Sequence, residues 1–308
     1  MTQAQWFTYS SQFTGEGADL PFDTSQLPVL DASVNRDAYQ AYSLRLLSST
    51  YEGAAINVRR SSDNATSDIG FDADGLLDTD ALTTFVGANS GYITTWYDQS
   101  GNARHMVQAG TTRQPRIVNA GTLIMAGDAP AVDFSAAANI FLRHTSPGMK
   151  TLLADAGFCV SEVHTDTPNG TSYAESAQAF TVINAFNWNT ATPPYMRSAM
   201  FVTSSFISPY PQLVTDAAGE LHADLLVKPA AIGGLQYRDG LIAETEAGWN
   251  PSIPDCTVAV LGGMETATDS LTLAYSGKVG EHILFDGVLD ADSITALAAS
   301  QTAYFGIS

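Results

Sequence analysis

The fold is decided by residues 275–307, which read YSGKVGEHILFDGVLDADSITALAASQTAYFGI. The part EHILFDGVL is rich in apolar and β-branched residues, which is typical of a buried strand, and it contains a turn glycine. The part that follows has helical spacing, because Asp290 or Asp292 can cap its first turn and Ile294 and Leu297 share one apolar face. The chain is therefore predicted to end in a buried strand followed by an amphipathic helix.

Strand patterns continue from here back to residue 54, and turn residues separate nearly all of them. The segments are AAINVRR, GYITTWYD, QPRIVN, TLIMAG, PAVDFS, GFCVSEVH, AFTVINAF, SAMFVTSSF, HADLLVKP, LQYRDGLIAE, CTVAVLGG and LTLAYSGKV. One hairpin is especially clear, because Asp239-Gly240 separates two strand-like runs and this pair favours a type I′ turn.

Helices are expected at only two other places. Residues 36–49 follow helical spacing, and a shorter helix is capped by Asp78 or Thr79 and stopped by Gly87. Many strands with few and mostly terminal helices predict an all-β fold, either a two-sheet sandwich or a jelly roll.

Composition and charge exclude several classes of protein. The chain has 308 residues, and 13 Lys+Arg against 32 Asp+Glu give a formal charge of −19. A nucleic-acid partner is not expected, because a phosphate-binding face needs clustered basic residues. The hydrophobic fraction of 45% is that of a folded domain. No run of 18 apolar residues is present, so no membrane insertion is expected.

The N-terminal segment differs from the rest of the chain. We read residues 1–30 as an extended arm and residues 31–308 as one jelly-roll domain. The arm places aromatic residues among polar ones: Trp6, Phe7, Tyr9, Phe13 and Phe22. Two interpretations stay open, an irregular segment packed on its own domain or exposed aromatics that dock on a neighbouring subunit.

Motifs for the common cofactors are absent from the sequence. Cys159 and Cys256 are too few for a disulfide framework, no CxxC pair offers zinc ligands, and we expect buried thiols. HExxH, GxSxG, P-loop and GxGxxG motifs are also missing, so we expect no metal site and no nucleotide cofactor. The start MTQAQWFTYSSQFTG lacks the basic and apolar regions of a signal peptide.

Acidic residues cluster around Asp72-Ala73-Asp74-Gly75. Oxygen-rich loops of this kind can bind calcium, but the spacing departs from that of an EF-hand. Solvated turns and a helix cap explain the same acids, because Asp favours both places. We therefore expect no cofactor, and calcium is the alternative that these loops leave open.

The densest polar motif follows the strand that carries Trp96. An aromatic platform beside amide and carboxylate groups is suited to gripping a sugar. The candidate ligand-binding residues are Trp96, Tyr97, Asp98, Gln99, Asn102 and His105. The same residues also fit an Asx-turn with Gly101 in a left-handed conformation, so a purely structural role stays open.

Several of these segments together resemble a known family. The run AYSLRLLSSTYEGAAINVRRSSDNATSDIGF, then ITTWYDQSGNARHMVQA and RQPRIV, resembles the catalytic domain of α-L-arabinofuranosidases. PAVDF, FCVSEV, the YRDG hairpin and the C-terminal stretch resemble the concanavalin A-like jelly roll of laminin G domains, lectins and glucanases. The resemblance covers roughly residues 38–308 and implies a two-sheet jelly-roll sandwich with a few short helices.

Catalysis by such a domain needs two carboxylates across the glycosidic bond. The resemblance implies an acid directly after a Gly-Gly pair, but Met264 follows Gly262-Gly263 here. It implies a nucleophilic Glu in a central strand, but residues 186–190, FNWNT, contain no carboxylate. No catalytic residue is therefore assigned. If the chain is an enzyme, the fallback candidates are Glu162, Glu175 and Glu265, and Glu265 needs a bulge or loop to re-aim its side chain.

Two functions follow, and the first is our expectation. The apparent loss of both carboxylates, the aromatic arm and the missing signal peptide favour a non-catalytic virion or surface protein, such as a phage tail, fibre or capsid appendage that recognises carbohydrate. Its expected partners are neighbouring virion or surface proteins, reached through residues 1–30, with cell-surface glycan as a further partner. A homo-oligomer on a virion or extracellular surface is expected. The alternative is an α-L-arabinofuranosidase-like glycoside hydrolase.

Overall fold

The computed structural model has the expected all-β architecture, built from antiparallel strands. It describes residues 28–31, 37–165, 170–177, 219–247, 255–267, 270–272 and 274–307, together with the backbone of five strands between residues 181 and 214. Three helices lie in this part of the chain: α1 (Thr79–Val86), α2 (Met149–Asp155) and α3 (Ala291–Phe305).

The strands are short in the first half of the chain and longer in the second. They are β1 (Ala38–Ser43), β2 (Ile56–Arg60), β3 (Thr66–Ile69), β4 (Gly91–Trp96), β5 (Met106–Val107), β6 (Arg116–Asn119), β7 (Thr122–Leu123), β8 (Met125–Ala126), β9 (Ala129–Pro130), β10 (Val132–Asp133), β11 (Leu142–His144), β12 (Gly157–Thr165), β13 (Thr171–Ala177), β14 (Thr181–Asn189), β15 (Tyr195–Arg197), β16 (Met200–Val202), β17 (Ser205–Ile207), β18 (Leu213–Val214), β19 (Leu221–Pro229), β20 (Gly234–Arg238), β21 (Leu241–Glu246), β22 (Val258–Leu261), β23 (Met264–Ala267), β24 (Ser270–Thr272) and β25 (Lys278–Asp286).

Most strands belong to two layers that are joined at one place. Sheet A has the order β21–β20–β19–β12–β25–β1. Sheet B has the order β3–β2–β4–β5–β11–β22–β13–β14. Strand β10 pairs with β25 of sheet A and with β6, and β6 pairs with β4 of sheet B. This arrangement is the two-sheet sandwich that the sequence predicts.

The main hydrophobic core lies between the two sheets. Tyr42 of sheet A and Trp96 of sheet B are both fully buried in it. A second apolar cluster lies on the other face of sheet A, where Ile294 and Leu297 of α3 pack against Ile283 of β25. Both faces of sheet A are therefore covered, which explains why β25 and β12 are almost continuously buried.

Local capping and turn signals were read correctly from the sequence. Asp78 caps α1 by accepting a hydrogen bond from the Ala81 N–H, and Gly87 ends the helix. Asp290 caps α3 through the Ser293 N–H. The Asp239-Gly240 pair has positive φ angles of 52° and 82°, which a type I′ turn requires.

The predicted helix over residues 36–49 is wrong, because residues 38–43 form strand β1. β1 pairs with the central strand β25, with Tyr42 opposite His282. Burial on both faces removes the polar alternation by which an isolated strand is recognised, so the tertiary contacts override the local pattern. The proposed N-terminal arm lies mostly outside the described residues. At its end, Val29 packs in the apolar cluster beneath α3.

Candidate functional site

Strand β13 has polar groups on both of its faces, one turned to the interior between the sheets and the other turned away from sheet A. Tyr173 pairs with Leu261 of β22, which belongs to the central core, so its side chain faces the interior. Ala174 pairs with Val260, which belongs to a separate apolar cluster on the face of sheet B that is turned away from sheet A. We call this second face the outer face. Along β13, Glu175 therefore faces the interior and Ser176 the outer face.

A glycine turn at the end of β22 shapes the outer face. Gly262 and Gly263 have φ angles of 101° and 152°, which L side chains rarely adopt. The chain leaves sheet B at this turn and forms the β23–β24 hairpin, and Met264 is buried there against Ala174. Met264 thus occupies the position implied for a catalytic acid and serves as an apolar packing residue.

Glu265, the next residue, forms an ion pair with Arg143 of β11. The Ser176 hydroxyl donates a 3.0 Å hydrogen bond to the Glu265 main-chain carbonyl and so ties the hairpin to β13. The Glu265 side chain is 5% exposed and that of Arg143 is 33% exposed, so the ion pair lies where the covered part of the outer face ends. The glycine turn, with a register shift between Glu265 and Ala267, supplies the loop that re-aims this carboxylate.

Glu162, the second fallback candidate, is fully buried between the sheets. His282 of β25 donates from Nδ1 to its Oε2 at 3.0 Å, and its Oε1 is buried with no hydrogen-bond partner among the described residues. The ring of His282 stacks with Tyr42 at 6.1 Å between centroids. Both ring nitrogens of the fully buried His282 have partners, Glu162 and Gln40, so it is a satisfied core histidine.

Glu175, the third candidate, is also buried in the interior. Its carboxylate accepts hydrogen bonds from the backbone N–H groups of Gly148 and Met149 at 2.6 and 3.0 Å, and from the Tyr173 hydroxyl at 3.0 Å. Burial raises the pKa of Glu175 to about 7, although these hydrogen bonds oppose the shift. The carboxylate therefore holds the start of α2 against β13.

Gln40 of β1 connects these interior groups. Its Nε2 donates to His282 Nε2 at 3.2 Å and to the Tyr173 hydroxyl at 3.1 Å, and its Oε1 accepts from His144 Nε2 at 2.8 Å. His144 Nδ1 accepts from the Ser146 N–H at 3.1 Å. We call the set of Gln40, His144, Glu162, Tyr173, Glu175 and His282 the interior network.

The donor and acceptor pattern assigns both imidazole tautomers. His144 Nδ1 receives a backbone proton and His282 Nε2 receives an amide proton, so each ring carries one proton, on Nε2 and on Nδ1 respectively. Burial lowers the pKa of His144 to about 4, which agrees with a neutral ring. In the interior network, neutral histidine, glutamine and tyrosine side chains are thus joined by hydrogen bonds, and the chain of bonds ends at the carboxyl groups of Glu162 and Glu175.

The three fallback carboxylates do not form one site. Glu162 and Glu175 lie in the interior network, while Glu265 lies on the outer face beyond β13. A glycosidase needs its carboxylates on either side of one substrate bond. Of the three, Glu265 is therefore the one that lies on the outer face of sheet B.

The Asp98 motif is built mainly from contacts within the protein. Asp98 accepts hydrogen bonds from the N–H groups of Ala41, Ser100 and Arg104 at 2.9 to 3.0 Å, which forms the expected Asx-turn. Gly101 has the expected positive φ of 85°.

Gln99, the next residue, is tied to the strands beside it. Its amide donates to the carbonyls of Ser43 and Arg45 and accepts from the Leu47 N–H. Asn102 is exposed, and its amide donates to the carbonyl of Tyr39. The polar atoms of this motif therefore hold the loop against β1 and the residues that follow it.

The aromatic candidates lie on different faces of sheet B. Trp96 is fully buried and donates to the Ser43 carbonyl, so it is a core residue. Tyr97 is half-buried, packs edge-on against His105 at 5.0 Å, and donates to Asp68 at 2.8 Å. A role in ligand binding stays a prediction for the Asp98 motif.

Sequence reasoning missed the polar partners that come from distant strands. Arg143 and Gln40 carried no motif signal, because nothing nearby in sequence marks the groups that they contact. The same is true of Asp224, which is fully buried between Arg238 and His164. Its pKa is lowered to about 2, because the Arg238 and His164 interactions outweigh desolvation, the largest single effect.

The acidic loop at Asp72 is arranged as a turn. The Asp72 carboxylate accepts hydrogen bonds from the N–H groups of Asp74 and Leu76, both at 2.9 Å. Among the described residues, no group of three or more His, Cys, Asp or Glu side chains could hold a metal ion. In the same part of the chain, no helix is both long and apolar enough to cross a membrane.

Residues 30–149 match the family model of the α-L-arabinofuranosidase B catalytic domain. This segment includes β1 to β11 and carries Arg143. No curated protein matches the chain by sequence.

Solved structures with the same fold include GH54 α-L-arabinofuranosidases. One was soaked with a cyclic sulfate inhibitor and has a TM-score of 0.63 at 17% identity. A mutant soaked with 4-nitrophenyl α-L-arabinofuranoside has a TM-score of 0.64 at 18% identity. An arabinofuranosidase complexed with arabinofuranosyl-α-1,2-xylobiose has a TM-score of 0.62 at 18% identity. Each match covers 89% of this chain and 65% of the other, so the chain spans about two thirds of their length.

These comparisons correct the expected function. A non-catalytic virion or surface protein was expected, and that expectation is wrong, because the family model and the structural matches point to an arabinofuranosidase catalytic domain. The comparisons support the alternative, an α-L-arabinofuranosidase-like glycoside hydrolase, better than the expected function.

Proposed function

We propose that this chain is a glycoside hydrolase of the α-L-arabinofuranosidase type, with its active site on the outer face of sheet B at Glu265. The observation that carries the proposal is the family match over residues 30–149. The matched segment contributes Arg143, whose guanidinium pairs with Glu265.

The placement of Glu265 supports a chemical role. Cleavage of a glycosidic bond uses one carboxyl group to protonate the leaving oxygen and a second to attack the sugar or activate water. In its ion pair with Arg143, Glu265 carries the negative charge that a nucleophile or general base needs. The Ser176 hydrogen bond to its backbone and the buried neighbour Met264 hold it in place.

Arg143 is the positioning residue in this proposal. It extends from β11 to the hairpin and is the more exposed member of the pair, so it is the member that meets solvent above Glu265. Arg143→Lys keeps the charge and loses the planar fork of donors. We expect this variant to keep part of the activity that Arg143→Met loses.

The test is the release of 4-nitrophenol from 4-nitrophenyl α-L-arabinofuranoside, followed by absorbance. We expect hydrolysis by the wild-type chain and a kcat at least about 100-fold lower for Glu265→Gln, the scale of a lost acid, base or nucleophile. The matched control is Glu52→Gln at an exposed position, which should keep the wild-type rate.

Two results would overturn the proposal. A folded wild-type chain that releases no 4-nitrophenol contradicts the activity, and an unchanged kcat for Glu265→Gln contradicts the site. Proton NMR of the first product anomer adds a second readout, because retention requires a carboxylate nucleophile and inversion a water-activating base.

A further inference from the structure

The two edge strands of sheet A differ in how their backbones are covered. β1 pairs with β25 on one side. On its other side, Ala41 of β1 donates to Asp98 and accepts from the Gln99 N–H, so the loop after β4 closes this edge. β21 pairs with β20 and with no other strand in the described part of the chain. An uncovered edge offers N–H and C=O groups with which another strand can pair.

The β21 edge also exposes large apolar side chains. Leu241 is 75% exposed and Ile242 is 62% exposed, and among the described residues only Ile232 matches them as an exposed large hydrophobic. At β3, the edge strand of sheet B, the exposed residues are instead the polar Thr66 and Asp68. Of these edges, β21 is therefore the one suited to an apolar strand partner.

Ile242 lies beside the apolar layer beneath α3. It is the direct cross-strand partner of Tyr237, which packs against that layer. A groove between α3 and β20 is lined by Tyr237, Leu297 and Ala298, among others. Direct cross-strand partners share a face of the sheet, so a strand added to β21 would lay one of its faces over this groove.

Residues 6–13, which read WFTYSSQF, have the alternating pattern of a half-buried strand. We call them the aromatic stretch, and they lie outside the described residues. Aromatic side chains and threonine favour strands. Three of the four odd positions are aromatic and the even positions after Trp6 are polar: Phe7, Tyr9 and Phe13 against Thr8, Ser10 and Gln12. A strand with one apolar face needs a sheet on which to bury it.

The aromatic stretch can reach the β21 edge from the point where the described chain begins. Val29 is buried beneath α3 in the same cluster as Ala41 of β1 and Leu297 of α3. Sheet A is five strand spacings wide from β1 to β21, about 24 Å. Residues 14–28, which we call the tether, span up to about 50 Å when extended. The tether is therefore long enough.

Charge favours the aromatic stretch over a second copy of the chain as the occupant of this edge. The stretch has no charged residue, because the acids of residues 1–27 all lie in the tether, at Glu16, Asp19 and Asp23. β21 itself contains Glu244 and Glu246, so pairing two β21 strands brings like charges together. Each copy also has a formal charge of −19. A tethered strand has in addition a high effective concentration at the edge.

We propose that the aromatic stretch pairs with β21 of the same chain as an added strand of sheet A. Its aromatic face then lies over the groove beside α3 and over Ile242, and main-chain hydrogen bonds cover the exposed edge. The N-terminal segment is thereby joined to the C-terminal helix. The proposal is independent of the activity at Glu265, because the edge and the groove belong to sheet A.

Hydrogen–deuterium exchange of the full chain, measured by mass spectrometry of its peptides, tests the proposal. We expect the amides of residues 6–13 to exchange at least about tenfold more slowly than in an unstructured chain, because paired strands are protected. Ile242→Glu places a charge on the docking surface and should remove this protection. The matched control is Ile232→Glu, the same change at a residue between β19 and β20 that is also 62% exposed. It should keep the protection.

A second pair of variants changes the N-terminal segment and leaves the sheet unaltered. Phe7→Ser removes one member of the aromatic face, and we expect exchange of the β21 amides to become at least about threefold faster. Phe22→Ser makes the same change in the tether and should leave their exchange as in the wild type. Unprotected residues 6–13 in the wild-type chain overturn the proposal, and so do equal effects within either pair of variants.

Light scattering separates docking within one chain from docking between two copies. We expect the mass of a monomer and the same protection of residues 6–13 at low and at high protein concentration. Protection that appears only at high concentration, together with the mass of a dimer, would assign the edge to a second copy and reject the proposal. None of these measurements uses a substrate, so a failure of the proposed activity at Glu265 leaves their outcome unchanged.

Discussion

The interior network and the outer face of sheet B use the same residue types in opposite ways. In the interior, Glu175 and Glu162 are sealed by hydrogen bonds to backbone, tyrosine and histidine. On the outer face, Glu265 is paired with Arg143, whose side chain remains 33% exposed. The difference teaches that the carboxylates inside this sandwich join elements together, while Glu265 is paired with an arginine that reaches solvent.

The largest effect on stability is expected from breaking the hydrogen bond between His282 and Glu162 in the interior network. His282→Leu removes the only hydrogen-bond donor to the buried Glu162 carboxylate that the described residues show. We expect a loss of about 3–5 kcal/mol in the free energy of unfolding, the usual cost of leaving one member of a buried pair behind. Urea denaturation measures it.

The double variant Glu162→Leu/His282→Leu is the control. It removes both members of the pair, so it should be more stable than His282→Leu alone. A loss below about 1 kcal/mol for His282→Leu would mean that the buried Glu162 carboxylate does not need this hydrogen bond. That result would contradict the distinction between the interior carboxylates and Glu265.

Glu175 and His144 of the interior network should change the free energy of unfolding with pH in opposite directions. The pKa of Glu175 is raised from 4.5 to about 7, so its contribution is present below pH 4.5 and is lost as the pH rises through 7. The pKa of His144 is lowered from 6.5 to about 4, so its contribution is present above pH 6.5 and is lost as the pH falls through 4.

Each of these contributions is about 3 kcal/mol, and they offset one another between pH 4.5 and 6.5. Thermal unfolding of single variants separates them. Relative to wild type, Glu175→Gln should gain stability as the pH rises over this range, and His144→Asn should lose it. Parallel curves for both variants and wild type would show that neither group titrates differently in the folded and unfolded chain.

Tyr173 of the interior network and Tyr97 of the outer surface allow a direct comparison of the two regions, with the smallest expected effects on stability. Tyr173→Phe removes a hydroxyl that bridges Gln40 and Glu175 in the interior, and should cost about 1–3 kcal/mol because buried partners lose a hydrogen bond. Tyr97→Phe removes a bond to the exposed Asp68, where water can replace it, and should cost under about 1 kcal/mol. Equal costs, measured by urea denaturation, would contradict the distinction between the two regions.

Much of the fold was predictable because its signals are local. The cap at Asp78, the turn at Asp239-Gly240 and the terminal helix from Asp290 each depend on residues within a few positions of one another. Strand β1 was missed because its identity depends on pairing with β25, more than 230 positions later in the chain, as the Gln40–Leu284 pair shows.

The candidate site was predictable only in part. Glu265 was named as a candidate, and the need for a loop to re-aim it was recognised from the Gly262-Gly263 pair. Its partner Arg143 lies 122 positions earlier and carries no motif, so only the folded chain brings the two together.

By itself, the sequence determined the all-β class, the caps, the turns and the resemblance to arabinofuranosidases, since these depend on neighbouring residues and on composition. The tertiary structure decided which carboxylates are sealed and which one faces the outer surface. The physical reason is that successive residues of a strand point to opposite faces, so adjacent residues of β13 lie on different faces of sheet B. Pairing between strands that are distant in sequence then determines which groups each face contacts.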